Sequence, residues 1–176
     1  MVFRNKESNL NEVPFVIAPT TPLTKSIITT VAWWDFDGDH HMDLAVSRAG
    51  YGNQIYRNLG NSRFKLYWSS PQNHDTRSIA WANLQRSNKS IPVLGVGNYD
   101  NANELYIFNE EQQTFDVETI PSTIPLRTTS IAWGDMDGDG DSDLVVGREN
   151  EAIQIFKVFQ DSLTEVWTSE EHDSVT

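Results

Sequence analysis

The sequence contains no cysteine among its 176 residues. Disulfide frameworks, thiol catalysis and metal sites with cysteine ligands are therefore excluded. Basic residues are also few, because 13 lysines and arginines stand against 25 aspartates and glutamates, which gives a formal net charge of −12. Nucleic acids and anionic membranes attract basic surfaces, so we expect neither a nucleic acid nor a membrane surface as a partner.

Long apolar runs are missing as well. No run approaches the roughly 18 residues that span a bilayer, so we expect no membrane insertion, and the first residues lack the apolar core of a secretory signal peptide. A nucleophile elbow, a P-loop and a dinucleotide-binding glycine motif are also absent. We therefore expect a protein that is not an enzyme. Its content of 38% hydrophobic and 11% aromatic residues still predicts a folded core.

What the sequence does contain is an internal repeat with a period near 50 residues. A short apolar run that ends in tryptophan occurs at 30–33, 78–81 and 130–133. Three more runs rich in β-branched and aromatic residues follow each of them, at 43–46, 54–56 and 64–68, at 93–96, 104–106 and 115–118, and at 143–146, 154–156 and 163–167. Turn residues separate these runs, which predicts four strands per repeat. Four-stranded units of about 40–50 residues are typical of β-propeller blades.

The predicted fold is all-β, a β-propeller fragment of about three and a half four-stranded blades within one propeller domain. Residues 1–25 are predicted to form the two outer strands of a half blade, because residues 1–5 are similar to the third run at 54–58. One blade each is predicted for 26–75, 76–125 and 126–176. Open sheet edges associate unless they are covered, so we expect either self-association or a longer propeller of which this chain is a part.

Tryptophan recurs at fixed places in the repeat. We expect the recurring residues of the first and fourth runs to pack between neighbouring blades: Trp33, Trp81, Trp133, Trp68 and Trp167. A sugar-stacking platform is the alternative interpretation for such aromatic side chains. Trp34 stands where the third repeat has Gly134, and it is a candidate for a binding surface.

The chemistry-bearing motif is an aspartate-rich loop between the first and second runs, at 35–43 and again at 135–143. Acids occupy positions 1, 3, 5 and 9 of both loops. Carboxylates so close together repel strongly unless a cation neutralises them, and a donor set made only of oxygens suits Ca²⁺. The candidate ligands are the carboxylates of Asp35, Asp37, Asp39, Asp43, Asp135, Asp137, Asp139 and Asp143, and the backbone carbonyls of His41 and Asp141 at position 7.

These loops carry most of the charge of the chain. Without their nine aspartates the net charge would change from −12 to −3. Gly38 and Gly138 permit a sharp turn, and His40 stands where the other loop has Gly140, so a positive φ there would cost some stability. An EF-hand is excluded, because position 12 is a valine within a strand. The corresponding segment 83–93 of the middle repeat has no acid, and we expect no ion there.

The segments 32–39 (Ala-Trp-Trp-Asp-Phe-Asp-Gly-Asp) and 132–140 (Ala-Trp-Gly-Asp-Met-Asp-Gly-Asp-Gly) resemble the FG-GAP/VCBS repeat. That repeat is the blade of integrin-α-type β-propellers and of many bacterial surface proteins. The resemblance implies Ca²⁺ in the loop between the first and second strands, hence two calcium sites with the ligands named above. It also implies an extracellular or cell-surface location.

The expected function is therefore that of a calcium-binding β-propeller module for extracellular recognition of a protein or a carbohydrate, in which Ca²⁺ is structural. Three alternatives remain open. The chain could be a lectin-like sugar binder, a non-catalytic accessory module of a secreted polysaccharide-degrading enzyme, or a self-assembling fragment without independent activity.

Overall fold

The computed structural model describes residues 26–86, 89–121, 127–159 and 162–169. These residues form twelve β-strands and no helix. The described residues thus include no helix with the length and apolar character that a membrane span needs. The half blade predicted for residues 1–25 lies outside the described residues.

The strands form three four-stranded sheets, each an antiparallel meander in chain order. Sheet I contains β1 (Ile27–Trp34), β2 (Asp43–Ala49), β3 (Gln54–Asn58) and β4 (Phe64–Ser69). Sheet II contains β5 (Thr76–Arg86), β6 (Lys89–Asn98), β7 (Glu104–Asn109) and β8 (Thr114–Thr119). Sheet III contains β9 (Thr128–Gly134), β10 (Asp143–Arg148), β11 (Gln154–Phe159) and β12 (Ser162–Thr168). Each sheet lies inside one of the three segments 26–75, 76–125 and 126–176.

The three sheets share one strand register. The leucine of each second strand pairs with the tryptophan of the first strand, as Leu44 does with Trp33. On its other side the same leucine pairs with an aromatic residue of the third strand, as Leu44 does with Tyr56. The repeat that the sequence predicts is therefore present in the backbone pairing of the sheets.

Sheet II lies between the other two. Leu94 and Tyr106 belong to a buried cluster shared with sheet I, whereas their neighbours Val93 and Leu105 belong to a cluster shared with sheet III. Successive side chains of a strand point to opposite faces, so a sheet that is covered on both faces needs apolar residues at consecutive positions. This explains the unbroken apolar runs of β6 and β7.

Neighbouring sheets approach each other most closely at their first strands, since β1 contacts β5 and β5 contacts β9. Trp133 Nε1 donates a hydrogen bond of 2.9 Å to the carbonyl of Ala80. A Cβ atom at Gly95 would lie 3.0 Å from the same Nε1 atom, so the absence of a side chain at Gly95 permits this approach. The radial arrangement is that of a propeller-like fold.

The predicted packing of tryptophans between blades holds for three of the five. Trp81 is 9% exposed, Trp133 contacts sheet II, and Trp68 packs on Tyr106 with ring centroids 4.9 Å apart. For Trp33 and Trp167, which are 51% and 48% exposed, packing against a further blade stays a prediction. They lie on the outward faces of sheets I and III, where no described sheet covers them.

The segment 83–93, which corresponds to the acidic loops, differs from them in structure. β5 and β6 continue to pair as far as Arg86 opposite Lys89. Leu84 and Val93 are buried against sheet III, and the segment has no clustered carboxylates to force the strands apart. The apolar alternation therefore extends the hairpin through the region that corresponds to the acidic loops.

A buried polar network joins sheets I and II. Asn53 Nδ2 donates to Thr76 Oγ1 at 2.9 Å and to the Tyr106 hydroxyl at 3.0 Å. Its Oδ1 accepts the backbone N–H of Arg48 at 3.0 Å, and Thr76 Oγ1 donates to Asn98 Oδ1 at 2.7 Å. Because these groups are buried, the network fixes the relative position of the two sheets.

Candidate metal centres

Two equivalent loops join first to second strands: the first acidic loop (residues 35–43, between β1 and β2) and the second acidic loop (residues 135–143, between β9 and β10). Asp35 accepts hydrogen bonds from the backbone N–H groups of positions 4, 5 and 6 at 2.9, 3.1 and 2.9 Å. Asp135 accepts from the same positions at 2.7, 3.2 and 3.0 Å. The backbone of each loop therefore turns around the carboxylate of the aspartate at position 1.

The aspartate at position 9 closes each loop from the second strand. Asp43 is 1% exposed; its Oδ2 accepts the Phe36 N–H at 3.2 Å and its Oδ1 the Asn58 N–H at 2.8 Å. Burial away from water raises the pKa of Asp43 to about 6. Asp143 is equally buried and its Oδ2 accepts the Met136 N–H at 2.9 Å, but its Oδ1 has no hydrogen-bond partner among the described residues.

The carboxylates converge closely enough for one ion in each loop. Oxygens of Asp35, Asp37 and Asp39 all lie within 4.8 Å of one another, and so do oxygens of Asp135, Asp137 and Asp143. Two oxygens that bind the same Ca²⁺ at 2.3–2.6 Å are at most about 5 Å apart. The residues present therefore fit Ca²⁺. Asp143 is a buried ligand candidate, and a bound ion would compensate for the hydrogen bond that its Oδ1 lacks.

Four predicted ligands stand apart from these two groups. Asp43 lies outside the first group and Asp139 outside the second. The backbone N–H groups of His41 and Asp141 donate to the position 5 carboxylate of their own loop, at 2.9 and 3.0 Å. Coordination by Asp43 and Asp139, and by the His41 and Asp141 carbonyls, stays a prediction.

Each acidic loop also contacts a basic side chain that the sequence analysis missed. Arg57 of β3 places Nε 2.6 Å from Asp37 Oδ2 and Nη2 3.2 Å from Asp39 Oδ2. Lys157 of β11 pairs with Asp137 and lies 3.0 Å from Asp139 Oδ2. These ion pairs raise the pKa of Lys157. Hydrogen bonds from the backbone N–H of position 7, and then these basic groups, lower the pKa values of Asp39 and Asp139.

A signal for these contacts was present in the repeat. Arg57 and Lys157 occupy the same position of the third run, directly after Tyr56 and Phe156. The corresponding residue of the acid-free middle repeat is Ile107. A basic residue thus accompanies the acids in both repeats that have them.

Position 2 anchors the first acidic loop in the core but does not anchor the second. Phe36, at position 2, is 2% exposed. Its ring centroid lies 4.9 Å from that of Tyr67, 5.1 Å from that of Phe108 and 5.2 Å from that of Phe115. Met136, at the same position of the second loop, is 53% exposed. The first loop is therefore coupled to the packing of sheet I against sheet II.

The turn at position 6 has the strained backbone that the sequence predicts. His40 has φ 68° and Gly140 has φ 91°, and a side chain is disfavoured at such angles.

Replacing His40 by glycine is expected to raise the free energy of unfolding by about 0.5–1 kcal/mol. Urea unfolding measures this change. The reciprocal variant Gly140→Ala should destabilise the protein by about 1 kcal/mol. Equal stability of His40→Gly and wild type would contradict the strain.

An open cleft of about 920 Å³ lies beside the first acidic loop. The half-buried Trp34 and the loop line one side, and the β5–β6 hairpin with Lys89 lines another. The turn between β7 and β8 contributes Glu110 and Glu111. The cleft thus combines an aromatic surface with polar groups of both charges.

The sequence matches the family model of the FG-GAP-like repeat over residues 93–146. This segment runs from β6 of sheet II to β10 of sheet III and includes the whole second acidic loop. A comparison with curated protein sequences gives no match.

Solved structures with a similar fold include BBS1N in complex with ARL6DN, from a crystal soaked with lead. The match has a TM-score of 0.51 and 15% sequence identity, and it covers 78% of this chain and 42% of that chain. A second crystal of the same complex, soaked with mercury, matches with a TM-score of 0.44 and 16% identity over 78% of this chain and 38% of that chain. The first likeness supports a β-propeller type of fold. The chain carries an FG-GAP-like repeat over residues 93–146, which confirms the resemblance drawn from the segment 132–140.

Proposed function

We propose that this chain is a calcium-binding part of a β-propeller, that Ca²⁺ at the two acidic loops is structural, and that the propeller recognises a protein or a carbohydrate outside the cell. The observation that carries the proposal is the convergence of three carboxylates within 4.8 Å in the corresponding loops of two repeats, at positions 1, 3 and 5 of the first loop and 1, 3 and 9 of the second. The buried, unpartnered oxygen of Asp143 adds to it.

The structural role follows from what each loop holds. A bound Ca²⁺ would neutralise the converging carboxylates. The aspartates at positions 1 and 9 already bind the loop backbone, so any restraint on their carboxylates restrains the loop. In the first loop the Phe36 N–H is bound to Asp43, and the Phe36 ring packs on sheet II. An ion that restrains the first loop would therefore also restrain the Phe36 ring at the interface between sheets I and II.

The proposed location follows from the affinity expected for such loops. Extracellular calcium modules bind Ca²⁺ at about 10⁻⁴–10⁻³ M. Sites of this strength are filled where calcium is abundant, which favours the cell exterior or the cell surface over the cytosol.

We further propose that the three sheets are consecutive blades of a larger propeller, about three and a half blades of which belong to this chain. Val31 of sheet I is 54% exposed, whereas its counterparts Ile79 and Ile131 are 4% and 8% exposed because a preceding sheet covers them. Self-association would cover such faces as well. Light scattering tests this: a strictly monomeric chain at high concentration would argue against self-association.

Calcium should raise the melting temperature. With a dissociation constant near 10⁻⁴ M and 2 mM Ca²⁺, each site would add roughly 1.8 kcal/mol to the free energy of unfolding. We expect the melting temperature in 2 mM Ca²⁺ to exceed that in EDTA by about 7–14 °C when both sites are filled. Differential scanning calorimetry measures this difference.

Loop variants provide the controls for this experiment. The double variant Asp37→Asn with Asp137→Asn should melt at the same temperature with calcium and with EDTA. Asp100→Asn removes an exposed acid of the β6–β7 turn and should keep the full calcium effect. A wild-type melt that is identical in calcium and EDTA would refute the structural role of calcium.

A second candidate function is that of a lectin-like sugar binder. The cleft with Trp34 at its side favours it, since an accessible aromatic ring beside polar groups suits sugar stacking. A glycan array distinguishes it from a protein adhesin: sugar binding that Trp34→Ala abolishes would support the lectin. The third candidate, an accessory module of a polysaccharide-degrading enzyme, would show binding to an intact polysaccharide without hydrolysis.

A further inference from the structure

The basic residues of the third strands share their carboxylates with the proposed ion sites. Arg57 contacts Asp37 and Asp39, which belong to the first group of converging carboxylates. Lys157 contacts Asp137, which belongs to the second group. The position 1 aspartates make no ion pair with either basic residue, so each basic residue engages only part of its cluster.

The pairing is reproduced by the repeat and is not a single chance contact. Two repeats have acidic loops, and both have a basic residue at this one position of the third strand. The middle repeat has no acid in segment 83–93, and its residue at this position, Ile107, is 7% exposed in the core with sheet III. The position therefore has no structural need for charge when the loop has none.

A fixed positive charge beside these carboxylates has two opposite effects. It lowers the repulsion among them, which favours the closed loop. It also repels an incoming divalent cation and occupies carboxylate oxygens that this cation would bind. The same contact that stabilises the loop without an ion must therefore weaken ion binding.

We propose that Arg57 and Lys157 are built-in counter-ions that hold the acidic loops closed without Ca²⁺ and set the Ca²⁺ affinity of each site. This inference rests on the proposed calcium function. Asp143, whose buried Oδ1 has no hydrogen-bond partner among the described residues, belongs to the second group of converging carboxylates and independently indicates a ligand at the second loop.

The test uses neutral variants of similar size, Arg57→Gln and Lys157→Gln. Arg57→Gln is measured in an Asp137→Asn background and Lys157→Gln in an Asp37→Asn background, so that calorimetric titration with CaCl₂ reports one loop at a time. Each neutral variant should bind Ca²⁺ roughly three- to tenfold more tightly than its background. In EDTA each should melt at a lower temperature than its background.

Arg77→Gln is the matched control, because Arg77 pairs at 2.6 Å with Asp75, outside both loops. It should leave the Ca²⁺ affinity unchanged. The swaps Arg57→Lys and Lys157→Arg keep the charge and should restore affinities close to those of the backgrounds. Unchanged or weaker Ca²⁺ binding by the neutral variants, with binding by the backgrounds intact, would overturn the inference and leave the calcium function standing. No calcium binding by the wild type itself would overturn both.

Discussion

Replacing Phe36 with alanine should destabilise the protein by about 3–5 kcal/mol, the usual cost of removing a buried phenylalanine ring. The ring is 2% exposed and is surrounded by Tyr67, Phe108 and Phe115. Its loss would leave a cavity between sheets I and II that aromatic neighbours cannot fill without moving the loop. Urea unfolding followed by tryptophan fluorescence measures the change.

Met136→Ala is the control, because it alters the same position of the second acidic loop. Met136 is 53% exposed, so we expect a change within about 0.5–1 kcal/mol. Similar losses of unfolding free energy in both variants would show that the side chain at position 2 stabilises its own loop and not the packing between sheets. The interface between sheets I and II would then have no special part in the stability of the first loop.

Asn53→Ala should cost about 2–3 kcal/mol. The change removes the amide that bonds Thr76 and Tyr106 across the interface, and it leaves the Arg48 N–H without its acceptor. Buried polar groups that lose a partner each cost about 1–3 kcal/mol. Thermal and urea unfolding should both report the loss.

Asn109→Ala deletes an amide of the same size at the protein surface, where it bonds Asp116 at 2.9 Å. Water can replace that bond, so we expect a loss below about 1 kcal/mol. A loss for Asn53→Ala as small as that for Asn109→Ala would mean that the network does not hold the sheets together.

Strand order and register could be predicted from the sequence because both depend on a pattern that repeats. The spacing of Leu44, Leu94 and Leu144 is the spacing of equivalent strands, and each leucine has the same two neighbours in its sheet. The positive φ at His40 could be predicted for the same reason, since the other loop has glycine there. Comparison between repeats thus supplies information that local propensity lacks.

Contacts between sheets were harder to predict. The burial of Phe36 depends on which ring of the next sheet faces it, and no periodicity encodes that. The extension of the β5–β6 hairpin was not predicted because segment 83–93 aligns with the acidic loops, although Ala82 and Leu84 already alternate with polar residues in the pattern of a strand. Arg57 was missed because a single repeat does not link a basic residue of the third strand to the preceding loop; only comparison with Lys157, at the same position of the third repeat, reveals the link.

The bounds of the FG-GAP-like repeat have a consequence for the duplication of repeats in such chains. The segment 93–146 begins in the second strand of one sheet and ends in the second strand of the next, so it contains both Gly95 and Trp133, which meet across the interface. Duplication of a sequence segment with these bounds therefore copies both sides of one interface between neighbouring sheets, and not the four strands of one sheet. A longer array therefore needs no newly matched surfaces, and each copy brings an acidic loop that can be kept or lost independently.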